Sequence, residues 1–200
     1  GKEKYIVISF RTKYWKPGCD YKLIIANILK RAKVRTGDIL VLSEKAISVA
    51  KGNIVDENSV RPSLFSKFLA RIWMRIIWGY ILGHVSRLSM ETIYYLRNYP
   101  VDYGSSHKQV ALSYAGILEA LCFGSEGGID GSNLPYAYVC LPLARPAIEA
   151  KGIKEYLKKT LGIDISVMII DSDRCYTWRN FHIAPRPSSV KGIYSGGGVI

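Results

Sequence analysis

Acid is in short supply in this sequence. Asp and Glu number 16 against 28 Lys and Arg, which leaves a formal charge of +12 over 200 residues. That imbalance excludes an acidic, self-repelling chain and favours anionic partners such as nucleic acid, acidic lipid or phosphorylated small molecules. Cysteine is also sparse. Cys19, Cys122, Cys140 and Cys175 lie far apart and form no C-x-x-C pair, which argues against a zinc ribbon or a redox dithiol and for a reducing compartment. His84, His107 and His182 share no metal-ligand spacing and read as surface or internally satisfied residues. Gly1-Lys2-Glu3-Lys4 leads into no signal-peptide core, so a cytoplasmic location is expected. No repeat or low-complexity tract is present, and 48% apolar residues make this a folded globular composition.

A long uncharged apolar run is missing too. The most apolar stretch, roughly 63 to 83, is interrupted by Lys67, Arg71 and Arg75 at steps of four. Three central cations make a membrane-spanning helix costly. The pattern predicts a mostly buried helix with a basic stripe, entered through Pro62, with an amphipathic membrane-surface helix as the alternative. Around it the chain alternates between strand-like and helix-like segments. Tyr5 to Phe10 and Ile39 to Leu42 are β-branched strands, and Ile165 to Ile170 is a buried one. Asp20 caps a helix to about Arg31 with Leu23, Ile24, Ala26, Ile28 and Leu29 on its apolar side. Further helices are expected over Ser89 to Asn98, stopped by Pro100, and over Ala147 to Leu161, ended by Gly162. Val110 to Cys122 fits helix or strand equally. Tyr138 to Leu141 is short and extended. The fold class is α+β (mixed α/β).

What is plentiful is glycine, and it concentrates between Gly124 and Asn133. Such a run lets the main chain adopt left-handed conformations and approach a ligand closely. Asp130 and Asn133 add hard oxygen donors of the type magnesium or manganese takes, although Asp-Gly and Ser-Asn are also ordinary turn residues. A second acidic stretch, Asp171-Ser172-Asp173, follows a strand, at the kind of strand end where α/β proteins place ligand-binding groups. Two acidic loops of this sort can converge on one cation.

Ordered segments along the chain resemble the coenzyme F(420)-0:L-glutamate ligase family, the γ-glutamyl ligases of a deazaflavin coenzyme. Thr36-Gly37-Asp38-Ile39-Leu40-Val41 with Ser43, Ile47-Ser48, Ala50 and Gly52 is similar to the family's G-D-[IV]-x-V…S…S-K-A-E-G segment. Pro62-Ser63 resembles its N-P-S. Gly128-Ile129-Asp130-Gly131-Ser132-Asn133 resembles A-G-I-D-x-S-N, and Leu141-Pro142 the L-P before D-P-D. Ile169-Ile170-Asp171-Ser172 with Trp178-Arg179 resembles I-T-D-T-x-G-R-P-W-R. Val49 and Lys51 stand where the family has Lys and Glu, and Arg145-Pro146-Ala147 replaces D-P-D.

The resemblance implies one γ-glutamyl ligase-like domain over 1–200, built of two intertwined subdomains, with an apolar helical insertion at 64–103 and without the family's C-terminal part. It implies Mg2+ or Mn2+ held by Asp130, Asp171 and Ser172, and GTP faced by Ser43, Glu44 and Asn133. The implied reaction joins an amino acid, L-glutamate in the family, to a phosphorylated acceptor through an acyl phosphate. An intertwined homodimer is implied as well, for which the apolar 65–82 helix offers material. The alternative is a non-catalytic nucleotide- or nucleic-acid-binding homologue on the same scaffold, with Tyr14, Trp15 and Trp178 against basic residues.

Overall fold

The computed structural model describes residues 6–124, 126–132, 134–135 and 137–171, and beyond these the backbone of three short strands. In chain order the elements begin with α1 (Tyr21–Ala32), β1 (Ile39–Ser43), α2 (Glu44–Ala50) and β2 (Ile54–Asp56). Next come α3 (Leu64–Phe68), a π-type segment (Leu69–Leu82), α4 (Gly83–Val85), α5 (Met90–Arg97), α6 (Val101–Tyr114) and α7 (Ile117–Leu121). Then follow β3 (Tyr138–Cys140), α8 (Pro146–Leu161), β4 (Ser166–Ile170), β5 (Tyr176–Trp178), β6 (Phe181–Ala184) and β7 (Ile193–Ser195). The fold is α+β, mostly helical with small sheets. It divides into two compact units, each made of two stretches of chain: Gly1–Asn53 with Arg145–Ile170, and Ile54–Ala144 with Asp171–Ile200.

In the first unit β1 and β4 pair in parallel, from Ile39 opposite Ser166 to Ser43 opposite Ile170. Helix α1 starts where Asp20 accepts the Leu23 N–H at 3.0 Å, and α8 starts at Pro146 and ends on Gly162 with φ 68°, a left-handed C-cap that glycine adopts without a Cβ penalty. Ile25, Ala26 and Leu29 are the buried face of α1. Leu23, expected inside, is 47% exposed, because the helix turns it away from the buried pair two and three residues on. Glu149 ties the helices together: it accepts the Tyr21 hydroxyl and pairs with the Lys51 ammonium at 2.5 Å.

Two sequence expectations in this unit fail. Residues 6–10 form no strand, and Ile6 and Val7 are each 90% exposed. β-propensity holds a strand only where a partner completes its ladder, and no described strand pairs with this segment. The second concerns β4. Ile165 is buried, but Met168 and Ile170 are exposed, since a two-stranded sheet buries alternate residues on one face only.

The second unit is built on the long apolar helix. Ser63 caps α3 by accepting the Ser66 N–H at 3.2 Å. From Leu69 to Leu82 the hydrogen bonding takes the π register, which bonds i to i+5 and winds more slowly than an α-helix. Leu69, Met74 and Gly79, five residues apart, accordingly share the buried side. The expectation of a mostly buried helix is corrected: Leu64, Phe68, Ile72, Ile76, Tyr80 and Ile81 are exposed. Of the basic stripe, Lys67 and Arg71 face outward, whereas Arg75 is half-buried and donates to the Tyr99 carbonyl at 2.8 Å.

Val110 to Cys122 resolves as helix. It is shared between the end of α6 and, beyond Gly116 with φ 98°, α7. Leu69, Val110, Ala111, Ala120, Ile129 and Val139 pack as one core cluster, and Ala70, Met74, Leu96 and Tyr99 as another, with Trp73 against both. Trp73 and Trp78 each donate their indole N–H to the Leu121 carbonyl at 2.8 Å. That fixes the end of α7, from which the glycine bend departs. Among the described residues no helix is long and apolar enough to cross a membrane.

Candidate functional site

The glycine bend is a turn stitched to a strand. Gly127 and Gly128 take φ 66° and 80°, values that cost other residues about 1–2 kcal/mol. A Cβ on Gly127 would meet the Ala115 Cβ at 2.3 Å, so glycine is required there twice over. Asp130 then bonds Cys140 through both backbone groups, at 3.1 and 2.9 Å, on the edge of β3 opposite β2. Its carboxylate oxygen Oδ1 accepts the Ser132 N–H at 2.7 Å, a local turn bond of the kind Asp favours.

Around this bend lies a cavity of about 480 Å3 within the second unit. Glu57, Tyr95, Tyr99, Tyr103, His107, Phe123, Glu126, Asp130 and Asp171 all contribute to its wall. The two aspartates, from stretches 41 residues apart, therefore line one cavity. Tyr95 and Tyr99 meet edge to face with centroids 5.8 Å apart and continue through Tyr103 as an aromatic wall. Burial, with a further push from Glu126, raises the Tyr99 phenol well above its ordinary range, so it remains a neutral donor.

The same wall carries a charged network. His107 Nδ1 meets Glu57 Oε1 at 2.6 Å, and its Nε2 meets Glu126 Oε2. Lys108, fully buried, places its ammonium 2.6 Å from Glu126 Oε1 and 2.7 Å from the Cys122 carbonyl. Burial favours the neutral imidazole, but Glu126 and then Glu57 outweigh it and raise the His107 pKa from 6.5 to about 10. For Glu126 burial works toward protonation, and His107 and Lys108 overcome it, so the carboxyl stays below its ordinary value. His107 is thus an imidazolium at neutral pH with both ring nitrogens engaged. That arrangement excludes it as a general base.

The chemistry of the lining fits a hard divalent cation. No group of three or more His, Cys, Asp or Glu forms a metal cage among the described residues. Magnesium, however, characteristically takes one or two carboxylates and completes its shell with water and phosphate oxygens, and Asp130 and Asp171 are two carboxylates lining this cavity. Ser172 and Asn133 lie outside the described residues. Ser43 and Glu44 belong to the first unit, where Ser43 is the exposed N-cap of α2 without a side-chain capping bond and Glu44 is buried. Glu57, Lys108, Glu126 and the three tyrosines were not singled out by sequence reasoning, and His107 was read as a surface or internally satisfied residue.

The fold is an α+β one in which carboxylates from several segments line one aromatic-walled cavity. The particular family is shown by comparison: residues 9–195 match the F420-0:gamma-glutamyl ligase family, and the chain belongs to it. An uncharacterized protein of Methanocaldococcus jannaschii is 35% identical over 94% of this chain and 65% of its own length. A coenzyme F420:L-glutamate ligase of Methanopyrus kandleri is 26% identical over 78% of this chain and 55% of its own. The chain thus spans less than two thirds of the length of either relative.

Proposed function

We propose that the chain is a metal- and GTP-dependent acid–amino-acid ligase that joins an amino acid to a phosphorylated acceptor through an acyl phosphate. L-Glutamate is the amino acid in the name of the M. kandleri relative. The observation that carries the reading is the presence of Asp130 and Asp171 in one cavity wall. Charge supports it. The chain is basic overall, yet this lining sets Glu57, Glu126, Asp130 and Asp171 against one imidazolium, so a triphosphate enters favourably only with cations beside it.

In this reading Asp130, Asp171 and Ser172 hold Mg2+ or Mn2+, while Asn133, Ser43 and Glu44 face the nucleotide. The bound cation would offset the charge on the transferring phosphoryl group. The acceptor carboxylate attacks the γ-phosphorus and GDP leaves. The amine of the amino acid then attacks the acyl carbon, losing a proton, and phosphate departs. Glu57 and Glu126 are committed to His107 and Lys108 and serve as scaffold. Tyr95, Tyr99, Tyr103 and Phe123 restrict water at the face where the acyl phosphate forms. A cytoplasmic homodimer completes the reading, and the exposed Leu64, Phe68, Ile72 and Ile76 supply apolar surface for it.

Thermal unfolding with GTP and Mn2+ tests the proposal. Nucleotide at about 100 times its Kd should stabilise the fold by about 2.7 kcal/mol, and only with metal present. Asp130→Asn should abolish the shift. No shift with any nucleotide in either metal would sink the reading.

A further inference from the structure

A carboxylate that binds a cation must stay put, yet Asp130 follows a stretch punctuated by left-handed glycines. Gly124, Gly127 and Gly128 all adopt positive φ, and glycine loses more freedom on ordering than any other residue. Downstream, a reciprocal pair of backbone hydrogen bonds with Cys140 holds Asp130 to β3. Upstream the head of the bend is Glu126, four residues earlier, and it is 5% exposed. Both its oxygens are taken, one by the Lys108 ammonium and the other by the His107 ring.

These contacts close a ring. Helix α6 supplies His107 and Lys108, and Lys108 also donates to the Cys122 carbonyl, so one ammonium ties both sides of the stretch from Cys122 to Glu126. His107 reaches on to Glu57 at 2.6 Å. The Glu57 backbone N–H bonds the Ala137 carbonyl at 3.0 Å, just ahead of β3, the strand to which Asp130 is bridged. The bend is therefore held at its head by side-chain charge and at its tail by a backbone bridge, with both anchors joined through Glu57.

Stability alone does not account for such a network. Burying ions forfeits hydration, and apolar residues of the same volume often stabilise equally well or better. Its other use is geometric. We propose that His107, Lys108 and Glu126 are positioning residues that fix the head of the glycine bend and thereby set Asp130 for cation binding. The proposal rests on Asp130 and Asp171 being the cation ligands. None of the three residues exchanges protons with substrate: His107 has no unengaged ring nitrogen, and Lys108 is fully buried.

The test measures Mn2+ affinity by electron paramagnetic resonance on the full chain. It compares wild type, Glu126→Gln and the double variant Lys108→Met/Glu126→Gln, which removes both buried charges so that neither is left unpaired. A core variant, Met74→Ala, controls for lost stability. Both brace variants should bind Mn2+ about 10- to 100-fold more weakly, the usual penalty for removing support behind a ligand. Met74→Ala should melt earlier while binding as wild type does. Wild-type affinity in the folded double variant overturns the brace alone. A wild-type chain that binds no Mn2+ overturns the cation site and the brace with it.

Discussion

Gly127→Ala makes a sharp test of how the bend is built, because two separate costs fall on one methyl group. The first is backbone strain: at φ 66° an L-residue pays about 1–2 kcal/mol relative to the right-handed region. The second is space. The new Cβ would lie 2.3 Å from the Ala115 Cβ, while the Glu119 Cβ stands at 3.6 Å. Relieving such overlap in a packed interior typically costs about 1–3 kcal/mol. Restricting the unfolded chain returns about 0.4–1 kcal/mol, so the net loss should be about 3 kcal/mol, within about 1–5. Gly124 is the matched control, since it has φ 84° with nothing within 4 Å of an added methyl. Gly124→Ala should therefore cost about 1 kcal/mol, from strain less the same entropic return. Urea unfolding measures both, with an unchanged m-value confirming that only stability has moved. Equal losses for the two variants would refute the claim that Ala115 crowds the bend.

Other expectations concern charge and hydrogen bonding. His107 has its folded pKa raised from 6.5 to about 10, so its contribution to stability is complete below about pH 6.5 and is lost as pH climbs toward 10. Wild type should lose more melting temperature over that window than His107→Gln does; parallel curves would count against the Glu57–His107–Glu126 linkage. Glu126, whose folded pKa is lowered, works in the opposite sense. Its contribution is present above its ordinary value and disappears in acid, so Glu126→Gln should flatten the acid limb of the stability profile. In the first unit, Tyr21→Phe removes the hydroxyl bonded to Glu149 and should cost about 1–2 kcal/mol in chemical denaturation. A change near zero would show that Lys51 alone satisfies that carboxylate.

Local chemistry was readable in advance. Asp20, Ser89 and Gly162 mark helix ends by bonds and conformations that depend on a few neighbouring residues, and all three hold those positions. The turn character of Gly127 to Ser132 was visible for the same reason. Failures came where the answer depends on distant partners. Residues 6–10 have every strand-forming side chain and no described ladder to join. The apolar helix reads as mostly buried apart from a basic stripe, but its winding in the π register sorts buried from exposed residues differently from an α-helical wheel. Lys108 has the composition of a solvated residue and is instead fully buried, because Glu126, 18 positions later, folds back against it. No spacing rule links Glu57, His107, Lys108 and Glu126, since the tertiary fold alone brings them together. The cavity wall was thus half legible: Asp130 and Asp171 through their motifs, the tyrosines and the ion network not at all.

The central claim is that Asp130 and Asp171 share a cation, and crystals grown with Mn2+ and GTP test it most directly. An anomalous difference map collected at the manganese edge should show a peak within about 2.0–2.2 Å of an oxygen from each aspartate, with nucleotide phosphate oxygens completing the shell. A map with manganese bound elsewhere, or with the two carboxylates turned to separate partners and no metal between them, would contradict the account.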